Sequence, residues 1–142
     1  MSVIIVDTNV VSELLRPEPE PRVEQWLSRQ DGQTVYLTAI SEAELRHGLA
    51  IMPMGKRRTA LIDAVDHILR EDMAGRILPF DSTAAQSYAI IAAGRRAAGR
   101  PIMQAECQIA AIAHAHGASV ATRNTPDFEG CGIDLINPWN AE

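Results

Sequence analysis

Three acids in this chain occupy positions where α/β proteins do chemistry. Asp7 closes the apolar run Val3 to Val6, Glu44 lies in the helical stretch after a second β-rich run, and Glu106 lies in the helical stretch before a later one. Asp127 follows shortly after Thr122, Arg123 and Asn124. A buried strand ending in a carboxylate sets that charge at the carboxyl edge of a sheet, where open α/β folds place their sites. If the sheet is parallel, its topology can bring these sequence-distant acids to one edge. Carboxylates gathered without a cation repel, which raises at least one pKa and costs stability. A divalent metal resolves the conflict, and oxygen ligands without His or Cys favour Mg²⁺ or Mn²⁺ over zinc. Such a site suits hydrolysis of a phosphodiester by metal-activated water, the metal also stabilising charge on the phosphate and the leaving oxygen.

Each acid taken singly has a plainer role. Ser41 to Glu44 fits a Ser-x-x-Glu capping box, in which Glu44 satisfies a backbone amide. Glu42 suits the first turn of a helix, where its charge meets the helix dipole. Glu106 alone reads as a surface helix residue and Asp7 alone as a turn residue. His47, His67, His114 and His116 show no metal-like arrangement with acids, and the last two suit a helix C-terminus. Ser12 and Ser41 lack a nucleophile's setting, and Asp63 and Asp66 read as solvent-facing. Arg95, Arg96 and Arg100 form either a solvated basic face or a contact for RNA phosphates. No Gly-rich phosphate loop is present.

The elements that must position these residues alternate. Short strands are expected at Val3 to Val6, Val35 to Leu37, Ile77 to Phe80, Ala118 to Thr122 and Ile133 to Ile136. Helices are expected from Val10 to Leu15, around Val23, Trp26 and Leu27, from Ser41 to Leu49, and along the stripe Leu61, Ile62, Val65, Ile68 and Leu69. Two more are expected, one capped by Asp81 or Ser82 and reaching Ala98, the other running from Ile102 to His116 and ending at Gly117. Strands that alternate with helices imply a parallel sheet flanked by helices, because parallel strands need crossover connections.

A length of 142 residues fits one domain, 1–142, with room for a real core and little for a second unit. The aromatic content of 4% makes that core one of Ala, Ile, Leu and Val. Cys107 and Cys131 lack CxxC spacing and read as free thiols. A formal charge of -5 argues against broad electrostatic attachment to nucleic acid, although acids gathered into a metal site would account for part of that sum. No apolar stretch has the length of a membrane span, and the N-terminus lacks the basic region and cleavage site of a secretory signal. A cytoplasmic location and no membrane partner are therefore expected.

In order along nearly the whole chain, the segments VDTNVVSELLRP, TAISEAELRHGL, ILPFDSTAA, GRPIMQAECQIAAIAHAHG and ATRNTPDFEGCGIDLINPW resemble PIN-domain proteins of the VapC and FitB type, toxins of bacterial type II toxin–antitoxin pairs. The resemblance implies a single PIN-like domain, an α/β/α sandwich with a mostly parallel central sheet. It implies a Mg²⁺- or Mn²⁺-dependent endoribonuclease in which Asp7, Glu44 and Glu106 match the family acids and hold the metal. The more variable fourth polar position falls at Asn124, with Asp127 close by, and Thr8, Asn9 and Thr122 match supporting groups that orient carboxylates or water. It further implies an RNA substrate, a cognate antitoxin protein, a homodimer, and contact with DNA only through the antitoxin.

The chain departs from the family pattern at the third acid, where the family usually has Asp and this sequence has Glu106. The added methylene moves a carboxylate by roughly an ångström, a displacement that can cost about 10²-fold in rate. A second reading follows: a PIN fold that binds antitoxin but cleaves RNA poorly. A third, a phosphatase or phosphotransferase with Asp7 as nucleophile, is weakened because Asn9 stands where the usual second Asp would be.

Overall fold

The computed structural model describes residues 2–141. Five strands, β1 (Ile4–Val6), β2 (Val35–Thr38), β3 (Ile77–Leu78), β4 (Ser119–Ala121) and β5 (Leu135–Ile136), form one sheet in the order β3-β2-β1-β4-β5. Every pairing is parallel, so the sheet is wholly parallel rather than mostly so. The helices are α1 (Thr8–Leu14), α2 (Pro21–Ser28), α3 (Ala39–Ala50), α4 (Lys56–His67), α5 (Ser82–Ala97), α6 (Gln104–His116) and the short α7 (Thr125–Phe128).

Period-two alternation along β1 divides the core into two layers. Ile4 and Val6 pack with Val10, Val23, Trp26, Leu45 and Val65 on one face of the sheet. Ile5 points the other way, into Ile91, Cys107, Ile109, Ile112 and Phe128. Helices on both faces make the expected α/β/α sandwich. Strand β1 is buried at all positions, which is why it reads as a continuous apolar run instead of an alternating one.

The strand order reverses at β1, with β2 on one side and β4 on the other. Crevices in parallel α/β sheets open outside the carboxyl ends of the strands at such a switch point. Asp7 leaves β1 there and Thr122 leaves β4 beside it, because the register pairs Val6 with Ala121. The Asp7 amide donates to the Ala121 carbonyl at 2.9 Å, extending the pairing by one bond.

Several element boundaries differ from the sequence reading, each for a local reason. Helix α1 begins at Thr8, not Val10, because Asp7 itself caps it. Helix α3 begins at Ala39 with Thr38 as its cap, its hydroxyl accepting from the Ser41 amide at 3.1 Å, so Ser41 to Glu44 is not a capping box. Helix α4 ends at His67, passing through a wider turn at Ile68–Asp72 before Gly75 at φ +74. Pro79, without an amide hydrogen, stops β3 after Leu78. Gly117 does end α6, in the left-handed conformation that glycine adopts without Cβ strain. Among the described residues no helix is long and apolar enough to cross a membrane.

Candidate functional site

Asp7 is the anchor of the site. It is 7% exposed, and both carboxylate oxygens are engaged. Oδ1 accepts from the Thr8 amide at 2.8 Å, which is the α1 cap, while Oδ2 accepts from Thr122 Oγ1 at 2.9 Å and Asn9 Nδ2 at 3.3 Å. Asn9 therefore bridges the ends of β1 and β4: its Nδ2 also donates to Thr122 Oγ1 at 3.2 Å, and its Oδ1 accepts from the Arg123 amide at 3.3 Å. Burial is the largest influence on Asp7 and holds its pKa above the ordinary carboxylate value. Hydrogen bonds from Thr122 and Thr8 offset part of that, and the charges of Glu44 and Asp127 add to the rise.

Glu44 reaches the site from α3. Its Oε1 accepts from Thr8 Oγ1 at 2.8 Å, and the same hydroxyl lies 2.9 Å from Ser41 Oγ. Thus Glu44 serves the cavity, not its own helix cap. Glu106 projects from the first turn of α6 and is half-buried. Its pKa is also raised, first by burial and then by the charges of Asp127, Asp7 and Glu44, with Arg95 opposing. The fold has gathered like charges from three elements, and Arg95 offsets only part of their repulsion at Glu106.

Asp7, Glu44, Glu106 and Asn124 line one cavity of about 570 Å³, together with Thr8 and Asn9. Thr122 is fully buried behind Asp7. Asp127 is exposed and does not line the cavity, yet its charge is felt at both Asp7 and Glu106. Among the described residues, no three His, Cys, Asp or Glu side chains stand close enough to bind one ion directly. The donor set nevertheless fits a hard divalent cation: it is all oxygen, it lines an open cavity, and its repulsion is only partly offset. Mg²⁺ in particular is held by one or two carboxylates while keeping several waters.

Reading residue types missed other parts of this cavity. Glu13, 5% exposed, lines it while accepting from Arg16 at 3.1 Å and the Glu20 amide at 3.0 Å, contacts that lower its pKa. Their i,i+3 spacing was the available signal. Arg123 and Trp139 also line it, from segments whose proximity depends on the pairing of β4 with β5. Arg95 corrects the expectation of a basic face. It is 7% exposed and donates to the carbonyls of Arg100, Asp127 and Glu129, tying α5 to α7, which carries Asp127. Arg96 and Arg100 are exposed, and Arg100 pairs with Glu129 at 3.4 Å.

A wholly parallel sheet with acids gathered at its carboxyl edge defines an α/β protein with an acid-lined cavity at the switch point of its strand order. More narrowly, the chain belongs to the PIN-domain family, whose model matches residues 4–129. It is 49% identical over 136 residues to the VapC ribonuclease Y4jK of Sinorhizobium fredii, covering 96% of this chain and 97% of that one. It is 42% identical over 137 residues to Toxin FitB of Neisseria gonorrhoeae, covering 96% and 99%. Among solved structures, FitAB bound to an IR36 DNA fragment superposes with a TM-score of 0.93 at 41% identity, covering 99% of this chain and 98% of that chain.

Proposed function

We propose that this protein is the toxin of a type II toxin–antitoxin pair and a Mg²⁺- or Mn²⁺-dependent endoribonuclease that hydrolyses RNA phosphodiester bonds. The observation that carries the reading is the convergence of Asp7, Glu44 and Glu106 on one cavity with their mutual repulsion only partly offset. A ribonuclease name at 49% identity supports it. When bound, the cation supplies positive charge for the phosphate and lowers the pKa of its water. The chain's own residues do the rest. Asp7, Glu44 and Glu106 would hold the cation, in part through its waters, while Thr122 and Asn9 fix the Asp7 carboxylate and Thr8 fixes Glu44. Asn124 offers a neutral polar contact at the same cavity, and Asp127 adds negative charge from its rim. A cognate antitoxin protein holds the activity in check and supplies the contact with DNA. The solved FitAB–DNA complex supports that arrangement, and a homodimer is part of the same proposal.

The test is cleavage of a structured RNA panel by purified protein with Mn²⁺, Mg²⁺ or EDTA, beside Asp7→Asn. Cutting that needs the metal and disappears in the variant is the expected result; cutting in EDTA, or undiminished in Asp7→Asn, overturns the mechanism. The second reading, an impaired nuclease acting mainly through antitoxin binding, draws on Glu106 and on the absence of a ready-made three-ligand cluster among the described residues. Including Glu106→Asp in the panel separates the two. A gain approaching 10²-fold marks an impaired wild type, and no gain marks a site adapted to Glu.

A further inference from the structure

The cavity is lined by two chemically distinct groups. One is the acid cluster, and the other is Arg123 with Trp139. The Arg123 guanidinium lies over the Trp139 ring at 5.2 Å from its centroid, within the reach of a cation–π contact. Both residues are held from behind. The Arg123 amide donates to Asn9 Oδ1, the side chain that also binds Asp7. Arg22 Nη1 donates to the Trp139 carbonyl at 3.3 Å, and the Trp139 amide donates to Asn137 Oδ1 at 3.0 Å. Parallel pairing of Ala121 with Ile136 brings the two segments side by side. Trp139 packs on the core beneath the sheet, whereas Arg123 is exposed. Among the described residues Arg123 forms no ion pair, unlike Arg16 at the same cavity, which is engaged by Glu13.

A planar cation set over a half-buried indole, beside the proposed cleavage centre, leaves an exposed guanidinium for a second π-system. Single-stranded RNA offers the matching surface, because unstacked bases settle on guanidinium planes as well as on aromatic rings. Resting on the ribonuclease reading above, we propose that Arg123, held over Trp139, is the platform for a nucleobase next to the scissile phosphate. Arg123 touches the substrate, and Trp139 is its positioning residue. The chain's net charge of -5 leaves it poorly equipped to hold RNA through its backbone alone, so base stacking beside the acids supplies affinity where phosphate contacts are few.

The experiment measures binding of short single-stranded RNAs to the Asp7→Asn protein, which separates binding from cutting, across a salt series and with Arg123 changed to Lys or Ala. Trp139→Phe is added to keep a ring under the guanidinium, and wild-type cleavage is recorded in parallel. Stacking predicts that Lys does not rescue: both Arg123 variants bind about tenfold more weakly. It also predicts that the slope of log affinity against log salt is unchanged, that Trp139→Phe stays near the parent, and that RNA quenches Trp139 emission. Full rescue by Arg123→Lys, with a salt slope reduced by about one in Arg123→Ala, makes Arg123 a phosphate contact and overturns the platform. Intact cleavage by wild type with no effect of either Arg123 change overturns the platform alone. Absence of both binding and cleavage overturns the ribonuclease reading with it.

Discussion

Asp7 caps α1 and is also the most buried of the three gathered acids, and these roles pull its charge in opposite directions. The Thr8 and Thr122 hydrogen bonds favour the carboxylate, while burial and the neighbouring charges of Glu44 and Asp127 disfavour it, and burial prevails. The folded chain therefore holds this proton more tightly than the unfolded chain does. By linkage, the stability contributed by Asp7 is fully present below the ordinary carboxylate pKa and is lost as pH rises through the raised folded value. Glu106 behaves in the same sense, for the same leading cause. Without divalent metal, the unfolding free energy should fall as pH rises from about 4 toward neutrality. Asp7→Asn removes the buried charge and keeps a good capping oxygen. That variant should be more stable than wild type at pH 7, with a flatter pH dependence, although it should not cleave RNA. Urea titrations in EDTA at pH 4.5 and 7 check this. A variant less stable than wild type at the higher pH would show that the carboxylate's hydrogen bonds outweigh its burial.

Helix α3 presents Glu44 to the cavity, and its start is set by Thr38, which is fully buried. Thr38→Ala removes the cap bond to the Ser41 amide, a loss of about 1 kcal/mol on the usual scale of N-caps. It should also weaken cleavage, because Glu44 and Ser41 ride on the turns that this cap anchors. Thr38→Ser should restore both, and urea midpoints beside initial cleavage rates decide the matter; rates that survive the loss of stability would uncouple the cap from the Glu44 carboxylate. The same turn shows how far the chain is legible before folding. Apolar runs and helical stripes locate every strand and every helix but α7, because burial of one face is a local pattern. The end of β1 places Asp7 for the same reason. Ser41 to Glu44 looks like a cap because sequence spacing cannot say where a helix starts by a few residues, and the true cap, Thr38, sits three residues earlier. Arg95 looks like surface charge because its acceptors are carbonyls of residues about thirty positions away, and carbonyls carry no sequence signal. The Arg123–Trp139 stack is equally hidden, since it exists only through the pairing of β4 with β5.

At the scale of the whole molecule, the sheet order makes the site and also makes its cost. Strands β1 and β4 deliver Asp7 and Thr122, α3 delivers Glu44 and α6 delivers Glu106, so the acids meet only when both core layers are packed on the sheet. The unfolded chain keeps these charges far apart and does not pay their repulsion. A cation that bridges them binds the folded state alone and must stabilise the entire fold, not just the cavity. Adding Mn²⁺ to wild type should raise its melting temperature in a concentration-dependent way, with a stabilisation of about 2.7 kcal/mol at a hundred times the dissociation constant. Ordinary screening also relaxes repulsion among exposed charges, so NaCl at matched ionic strength is the necessary control. Asp7→Asn should begin from a higher melting temperature in EDTA and respond weakly to Mn²⁺, making the two thermal curves converge or cross as the metal is raised. Parallel curves, with the same Mn²⁺ response in both proteins, would mean that the cation binds elsewhere and that the acids gathered at the carboxyl edge of the sheet are not its ligands.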